Sequence, residues 1–326
     1  MKILLKHGSG GLETRELIKN IFLKHFYNKF TSCDDAASLP AVGTRGMAFT
    51  TDSYVVKPLF FPGGDIGRLA VCGTVNDLLT TGGVPMYISA SFIIEENTDA
   101  KILDEIARSM RRAADEAGVS IVTGDTKVTE GGGEGGVYVT TSGIGTDGGL
   151  SPRLIKEGDC IITSGSLGNH HACIVSQRMG ITNSIESDAA PLTGIVRGLT
   201  NAGVTLRAMR DMTRGGAAAS LNELSEACGL KAVLNESEIP VDVNVAGLCK
   251  ILGLDPLQMG NEGKMLIIVP EREADRALGL IKKSPCGEYA AVVGRFYFGG
   301  GVELVTRSGG RRVVPMPSGE GLPRIC

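Results

Sequence analysis

The chain has 326 residues, 42% of them hydrophobic and 21% charged, the composition of a globular protein with room for two cores of about 150 residues each. Thirty-three Lys and Arg against 36 Asp and Glu leave a net charge of −3, so no basic surface tracks a nucleic-acid backbone. No uncharged apolar run is long enough to span a bilayer, and Met1 to His7 is too short for a signal peptide, so the expected compartment is the cytoplasm.

His7-Gly8-Ser9-Gly10-Gly11 leads into Leu12, Leu17, Ile18, Ile21 and Phe22, whose three-and-four spacing predicts an amphipathic helix. A glycine loop opening a helix exposes backbone N–H groups that suit phosphate, although such leaders are also plain linkers. After Cys33-Asp34-Asp35, a strand is predicted at 46–51, ending at Asp52, then an extended 55–61 and a turn at Pro62-Gly63-Gly64-Asp65. The helix predicted over 66–81 carries Asp77 among Leu69, Val71, Cys72, Val75, Leu78 and Leu79. A carboxylate there is costly unless a cation or donors compensate it, or unless it shares a narrow polar face with Asn76.

A strand at 87–94, a helix at 99–117 and a strand at 119–123 follow, the last expected to deliver Gly124-Asp125-Thr126-Lys127 into a turn. Glycines at 131–136 suggest a hairpin tip before a strand at 137–143, and 146–153 separates the halves. The second half predicts strands at 159–164, 230–234, 265–269, 290–298 and 302–306, with helices at 169–179, 193–202 and 215–228. Strands and helices mix without a strict βαβ repeat, which favours α+β domains. The Pro- and Gly-rich carboxy-terminal stretch ends in Pro323-Arg324-Ile325-Cys326, a thiol on the last residue. The expected divisions are a glycine loop and helix at 1–30, a first domain at 31–148, a second domain at 149–308 and a tail at 309–326.

Asp35, Asp52, Asp65, Asp77 and Asp125 all fall in the first half, beside Gly or Thr. Each alone is as ordinary as a cap or turn residue, but their recurrence suits Mg²⁺ bridging carboxylates to phosphates. There is no GxxxxGK[ST], so a nucleotide needs another kind of cradle. The adjacent His170-His171 lack metal-ligand spacing, and eight Cys without a CxxC pair argue against zinc and against a disulfide framework. Lys127 and Glu262 are candidate proton-transfer groups, with ion pairing or solvation as the plain alternatives. Arg210 and Arg214 with Gly215-Gly216 could meet phosphate at a helix start, or Arg210 could pair with Asp211.

With these residues in view, the chain resembles the HypE family of hydrogenase maturation factors, within the aminoimidazole ribonucleotide synthetase-like (PurM-like) ATP-dependent superfamily. The resemblance runs end to end: HGSGG at 7–11, TTDSYVVKPLFFPGGDIG at 50–67, CGTVNDL at 72–78, IVTGDTKV at 121–128, GSLGNH at 165–170, RDMTRGG at 210–216, GNEGK at 260–264 and PRIC at 323–326. Asn169-His170-His171 and Met212 depart from the family's usual residues. The resemblance implies a two-domain PurM-like α+β fold and a homodimer whose amino-terminal strands form a shared barrel. It implies ATP contacts at Gly10, Gly11, Asp35, Asp52, Asp65, Asn76, Asp77, Thr123, Asp125 and Arg214, with Mg²⁺ on Asp35, Asp52, Asp77 and Asp125. It implies that a carbamoyltransferase, HypF, loads Cys326, that ATP drives dehydration to S-cyanide with Lys127 and Glu262 moving protons, and that cyanide passes to iron on a HypC–HypD complex for [NiFe] hydrogenase. The alternative is a small-molecule phosphotransferase of the same fold, such as a selenide or thiamine monophosphate kinase.

Overall fold

The computed structural model describes residues 2–4, 17–28, 46–130 and 136–317. The first half contains the short helical segments Ile18–Phe22 and Leu23–Phe26, then β1 (Met47–Tyr54), β2 (Phe60–Phe61), β3 (Gly64–Asp65), α1 (Ile66–Thr80), β4 (Pro85–Glu95), α2 (Ala100–Ala117), β5 (Ser120–Thr129) and β6 (Val137–Thr146). The second half follows as β7 (Cys160–Thr163), α3 (Asn169–Met179), α4 (Thr193–Asn201), β8 (Ala208–Asp211), α5 (Gly216–Cys228), β9 (Leu230–Asn235), α6 (Val243–Leu252), β10 (Met265–Val269), α7 (Ala274–Lys282), β11 (Ala291–Phe298), β12 (Val302–Val305) and β13 (Arg311–Val313).

Two open sheets organise the molecule. One has the order β1-β6-β4-β5, with α1 and α2 packed on one face; the other runs β13-β12-β9-β11-β7-β10-β8. Neither closes into a barrel within the chain. The two-domain α+β architecture expected from the sequence is therefore present. One apolar cluster runs from Leu69, Val71 and Val75 of α1 into Ile162, Cys173, Ile195 and Met265, so the halves share a continuous core. A second cluster, including Ile161, Leu221, Ile268 and Phe296, fills the other face of the seven-stranded sheet beneath α5.

Local chemistry explains the helix ends. Asp65 Oδ1 accepts from the N–H groups of Gly67 (2.7 Å) and Arg68 (3.1 Å), capping α1. Asp99 caps α2, which ends at Gly118 with φ +74°. Two strand expectations are corrected. β1 continues through Asp52 to Tyr54, and β5 runs straight through Gly124-Asp125-Thr126-Lys127 instead of turning. Gly124 is there for close approach: an added Cβ would lie 2.2 Å from the Ala90 carbonyl oxygen of β4. Helices α6 and α7 and strand β8 were not anticipated, because a nearly unbroken apolar run (VNVAGLCKIL), a short helix and a strand buried in a motif read for phosphate give weak periodicity.

One side chain staples the halves. Asn76 on α1 donates from Nδ2 to the carbonyls of Ala190 (3.0 Å) and Glu262 (3.2 Å), and its Oδ1 accepts from Leu192 N–H (2.9 Å). Asn76→Leu would keep the volume but strand three buried backbone groups. The expected loss is on the order of 3 kcal/mol, read as a lower urea midpoint; an unchanged midpoint would show that the staple carries no stability.

Candidate active site

Thr50, Asp52 and Tyr54 alternate along β1, so all three face α1. Thr50 Oγ1 donates to Asp77 Oδ2 at 2.8 Å, and Tyr54 OH to Asp52 Oδ2 at 3.4 Å. Asp211, at the end of β8, brings a third carboxylate from the second half. Burial, then Asp211, then Asp52 raise Asp77 to about 7, and burial likewise raises Asp211, with Arg210 opposing and Asp52 adding to the rise. Tyr54 is pushed well above the usual phenol range by burial and by Asp52 and Glu262, which brings the buried Glu262 within electrostatic reach of the same group. Asp211 was read from sequence only as a possible partner of Arg210. Arg210 instead pairs with Glu223, and the overlooked signal was that an Asp closing a strand can face a neighbouring helix.

Carboxylates crowded together and half-buried must either share protons or meet a cation. Among the described residues no three His, Cys, Asp or Glu form a ready-made metal cage. Mg²⁺ does not require one, since it is ordinarily held by one or two carboxylates together with phosphate oxygens and water. Asp52, Asp77 and Asp211 fit that role.

The remaining predicted residues divide sharply. Asp65 is committed to its cap and stands twelve residues before Asp77, ~18 Å along the helix axis. Asn76 spends its amide on the staple, so a nucleotide contact from that amide is not available without breaking it. Asp125 pairs in register with Ser91, Ser91 with Thr140, and Thr140 with Ser53, whereas Asp52 shares its row with Thr141, Ala90 and Gly124. Asp125, Thr123 and Lys127 therefore lie on the sheet face opposite Asp52 and Asp77, and on the far edge strand. The single cluster of Asp52, Asp77 and Asp125 expected from sequence is not assembled within one chain. There Lys127 Nζ sits 3.2 Å from Asp125 Oδ2, an exposed pair. Arg214 is exposed just before α5. Gly10, Gly11, Asp35 and Cys326 lie outside the described residues. His170, with Nδ1 2.7 Å from Ser187 Oγ, and His171, pushed down to about 4 chiefly by burial, are core histidines.

Asp77→Asn is expected to lower ATP turnover by more than about 10²-fold while raising stability at pH 8, because it removes a half-buried charge repelled by Asp211 and Asp52. The sign follows from the raised pKa: Asp77's contribution to stability is fully present below its ordinary 3.8 and is lost as pH rises through about 7. ATPase assays and urea melts at pH 5 and pH 8 check both parts; wild-type turnover in a folded variant would remove Asp77 from the site.

The AIR synthase related protein family matches the chain through its N-terminal domain at residues 33–146 and its C-terminal domain at residues 156–307. Carbamoyl dehydratase HypE of Rhodobacter capsulatus is 46% identical, over 100% of this chain and 98% of the relative. The chain belongs to the HypE family of carbamoyl dehydratases. A crystal structure of HypE in complex with ATP superposes with a TM-score of 0.95 at 42% identity, covering 99% of both chains. HypE from a HypE–HypF complex superposes with a TM-score of 0.81 at 39% identity, over 92% of this chain and 99% of that one.

Proposed function

We propose that this chain is an ATP-dependent carbamoyl dehydratase that uses its own Cys326 as the carrier of the reacting group, in the cytoplasm. The observation that carries the reading is the approach of Asp52, Asp77 and Asp211 at the junction of the halves, with the backbone of the buried Glu262 held to α1 by Asn76 Nδ2 at 3.2 Å, close to where the described chain ends. Pro317 packs against Gly215, a few residues beyond Asp211, and residues 318–326 could span ~30 Å if extended, enough to bring Cys326 to the carboxylates.

In the reaction, the carbonyl oxygen of the S-carbamoyl group attacks the γ-phosphorus of ATP and ADP leaves, while one N–H proton is lost. The C–O bond then breaks, phosphate departs with its electron pair, the second N–H proton is removed, and a C≡N triple bond remains on sulfur. Glu262, buried at the junction of the halves, and Lys127 are the bases we assign to these proton transfers. Asp52, Asp77 and Asp211, together with Asp35, would hold Mg²⁺, which when bound offsets triphosphate charge. Gly10, Gly11, Thr123, Asp125 and Arg214 complete the proposed nucleotide contacts.

Because Thr123, Asp125 and Lys127 lie across the sheet from Asp77 and Glu262, a site that uses both groups needs a second copy. The open sheet face supports this: Met47, Phe49 and Ile93 are exposed on it, an apolar patch that a partner sheet would cover as a shared barrel. We assign the other partners by the same family logic: a HypF-type carbamoyltransferase that loads Cys326, and a HypC–HypD complex whose iron takes the cyanide. Intact mass after incubation with the carbamoyltransferase, carbamoyl phosphate and ATP tests the reaction. A gain of about 43 Da followed by a loss of about 18 Da is expected; ATP consumption without either mass change would overturn it.

A further inference from the structure

We infer that Asp188 and Asn76 are positioning residues for Glu262, holding its backbone from both sides so that the base and the carboxylate group keep a fixed separation. The inference rests on the proton-transfer reading of Glu262 given above.

Glu262 N–H donates to Asp188 Oδ1 at 2.9 Å, and Glu262 C=O accepts from Asn76 Nδ2 at 3.2 Å. Both peptide groups of the residue are thus fixed by side chains distant in sequence. The flanks are fixed as well. Asn261 Oδ1 accepts from Gly168 N–H at 2.7 Å and its Nδ2 donates to the carbonyls of Met259 (3.1 Å) and Met212 (3.3 Å). Gly263 has no room for a side chain, since a Cβ on it would lie 1.9 Å from the Asp188 carbonyl oxygen. Lys264 Nζ, buried, donates to Gly263 C=O at 3.1 Å and stands 4.0 Å from Asp188 Oδ2, tying the two segments together.

Asn76 and Asp77 are adjacent on α1. One grips the Glu262 backbone and the other belongs to the carboxylate group, so their spacing is set by a single peptide unit on a largely buried helix. Asn76 also holds Ala190 and Leu192, flanking the segment that delivers Asp188. Any opening of the two halves would therefore break the Asn76 hydrogen bonds and separate Glu262 from Asp52 and Asp77. Misplacing a base by about 1 Å costs on the order of 10²-fold in rate, which is the effect such a clamp prevents.

The test is single-turnover dehydration of the carbamoylated full-length chain, followed as loss of about 18 Da over a range of ATP concentrations. Asp188→Ala is expected to lower the maximal rate ~10²-fold with half-saturation by ATP changed less than about twofold. Asp188→Asn keeps an oxygen acceptor for Glu262 N–H and should recover most of the rate, whereas Asp188→Glu keeps the charge toward Lys264 but displaces the acceptor and should stay slow. An unchanged maximal rate in Asp188→Ala, or Asp188→Glu outperforming Asp188→Asn, would overturn the positioning role. If Asp188→Ala fails to unfold cooperatively, the Asn and Glu pair carries the comparison alone. A Glu262→Ala chain that dehydrates at the wild-type rate would instead overturn the reading of Glu262 itself.

Discussion

Cys326→Ala is expected to carry neither the carbamoyl nor the cyano group and to lose dehydration completely. The competing thiols explain why the effect should be all or none. Burial raises Cys72 far above the thiol range and Cys173 to about 11, and raises Cys160, Cys228 and Cys249, so each is held as an inert thiol in an apolar setting. Cys286 is the exposed exception among the described cysteines. Cys286→Ala is therefore the control, and it should leave both mass changes intact. Peptide mapping of the wild-type chain should place the gain of about 43 Da and the loss of about 18 Da on the fragment ending in Cys326. Cys326→Ser should also fail, because a hydroxyl is a far poorer nucleophile than a thiolate near neutral pH. Full ATP turnover in a chain ending at Leu322 would sink the carrier role and favour a small-molecule phosphotransferase.

Mixing two inactive variants is expected to restore activity. Lys127→Ala and Glu262→Ala should each slow dehydration by about 10²- to 10⁴-fold, the usual weight of one general acid or base. If Lys127 of one copy meets Glu262 of the other, a mixed dimer holds one doubly altered site and one intact site. Random re-association then returns about a quarter of wild-type activity, since roughly half the dimers are mixed and each regains one site of two. No recovery in a mixture that demonstrably exchanges subunits would mean that the two residues do not act across a dimer. The register makes this experiment worth doing: Lys127 pairs in the sheet row with Ile93 and Tyr138, on the face turned away from α1, while Tyr54 and Asp52 turn toward it.

Much of this protein is legible in its sequence. The mixed order of strands and helices gave two α+β halves, the apolar setting of Asp77 on a predicted helix marked a carboxylate in need of compensation, and GNEGK before a buried strand marked Glu262. These features are local: periodicity, caps and composition act over a few residues and can be read from them directly. The directions in which side chains face were not legible. Whether Asp52 and Asp125 meet depends on strand order and register across β1, β6, β4 and β5, and successive residues of a strand point to opposite sides, so two aspartates with the same local signature end on opposite faces. Asp211 joins the carboxylate group, and the Asn76 amide is taken up by a staple, only because packing the halves on α1 brings segments more than a hundred residues apart into contact. Composition and spacing determined which residues could do chemistry; the pairing of distant strands, which no local pattern encodes, decided which of them stand together.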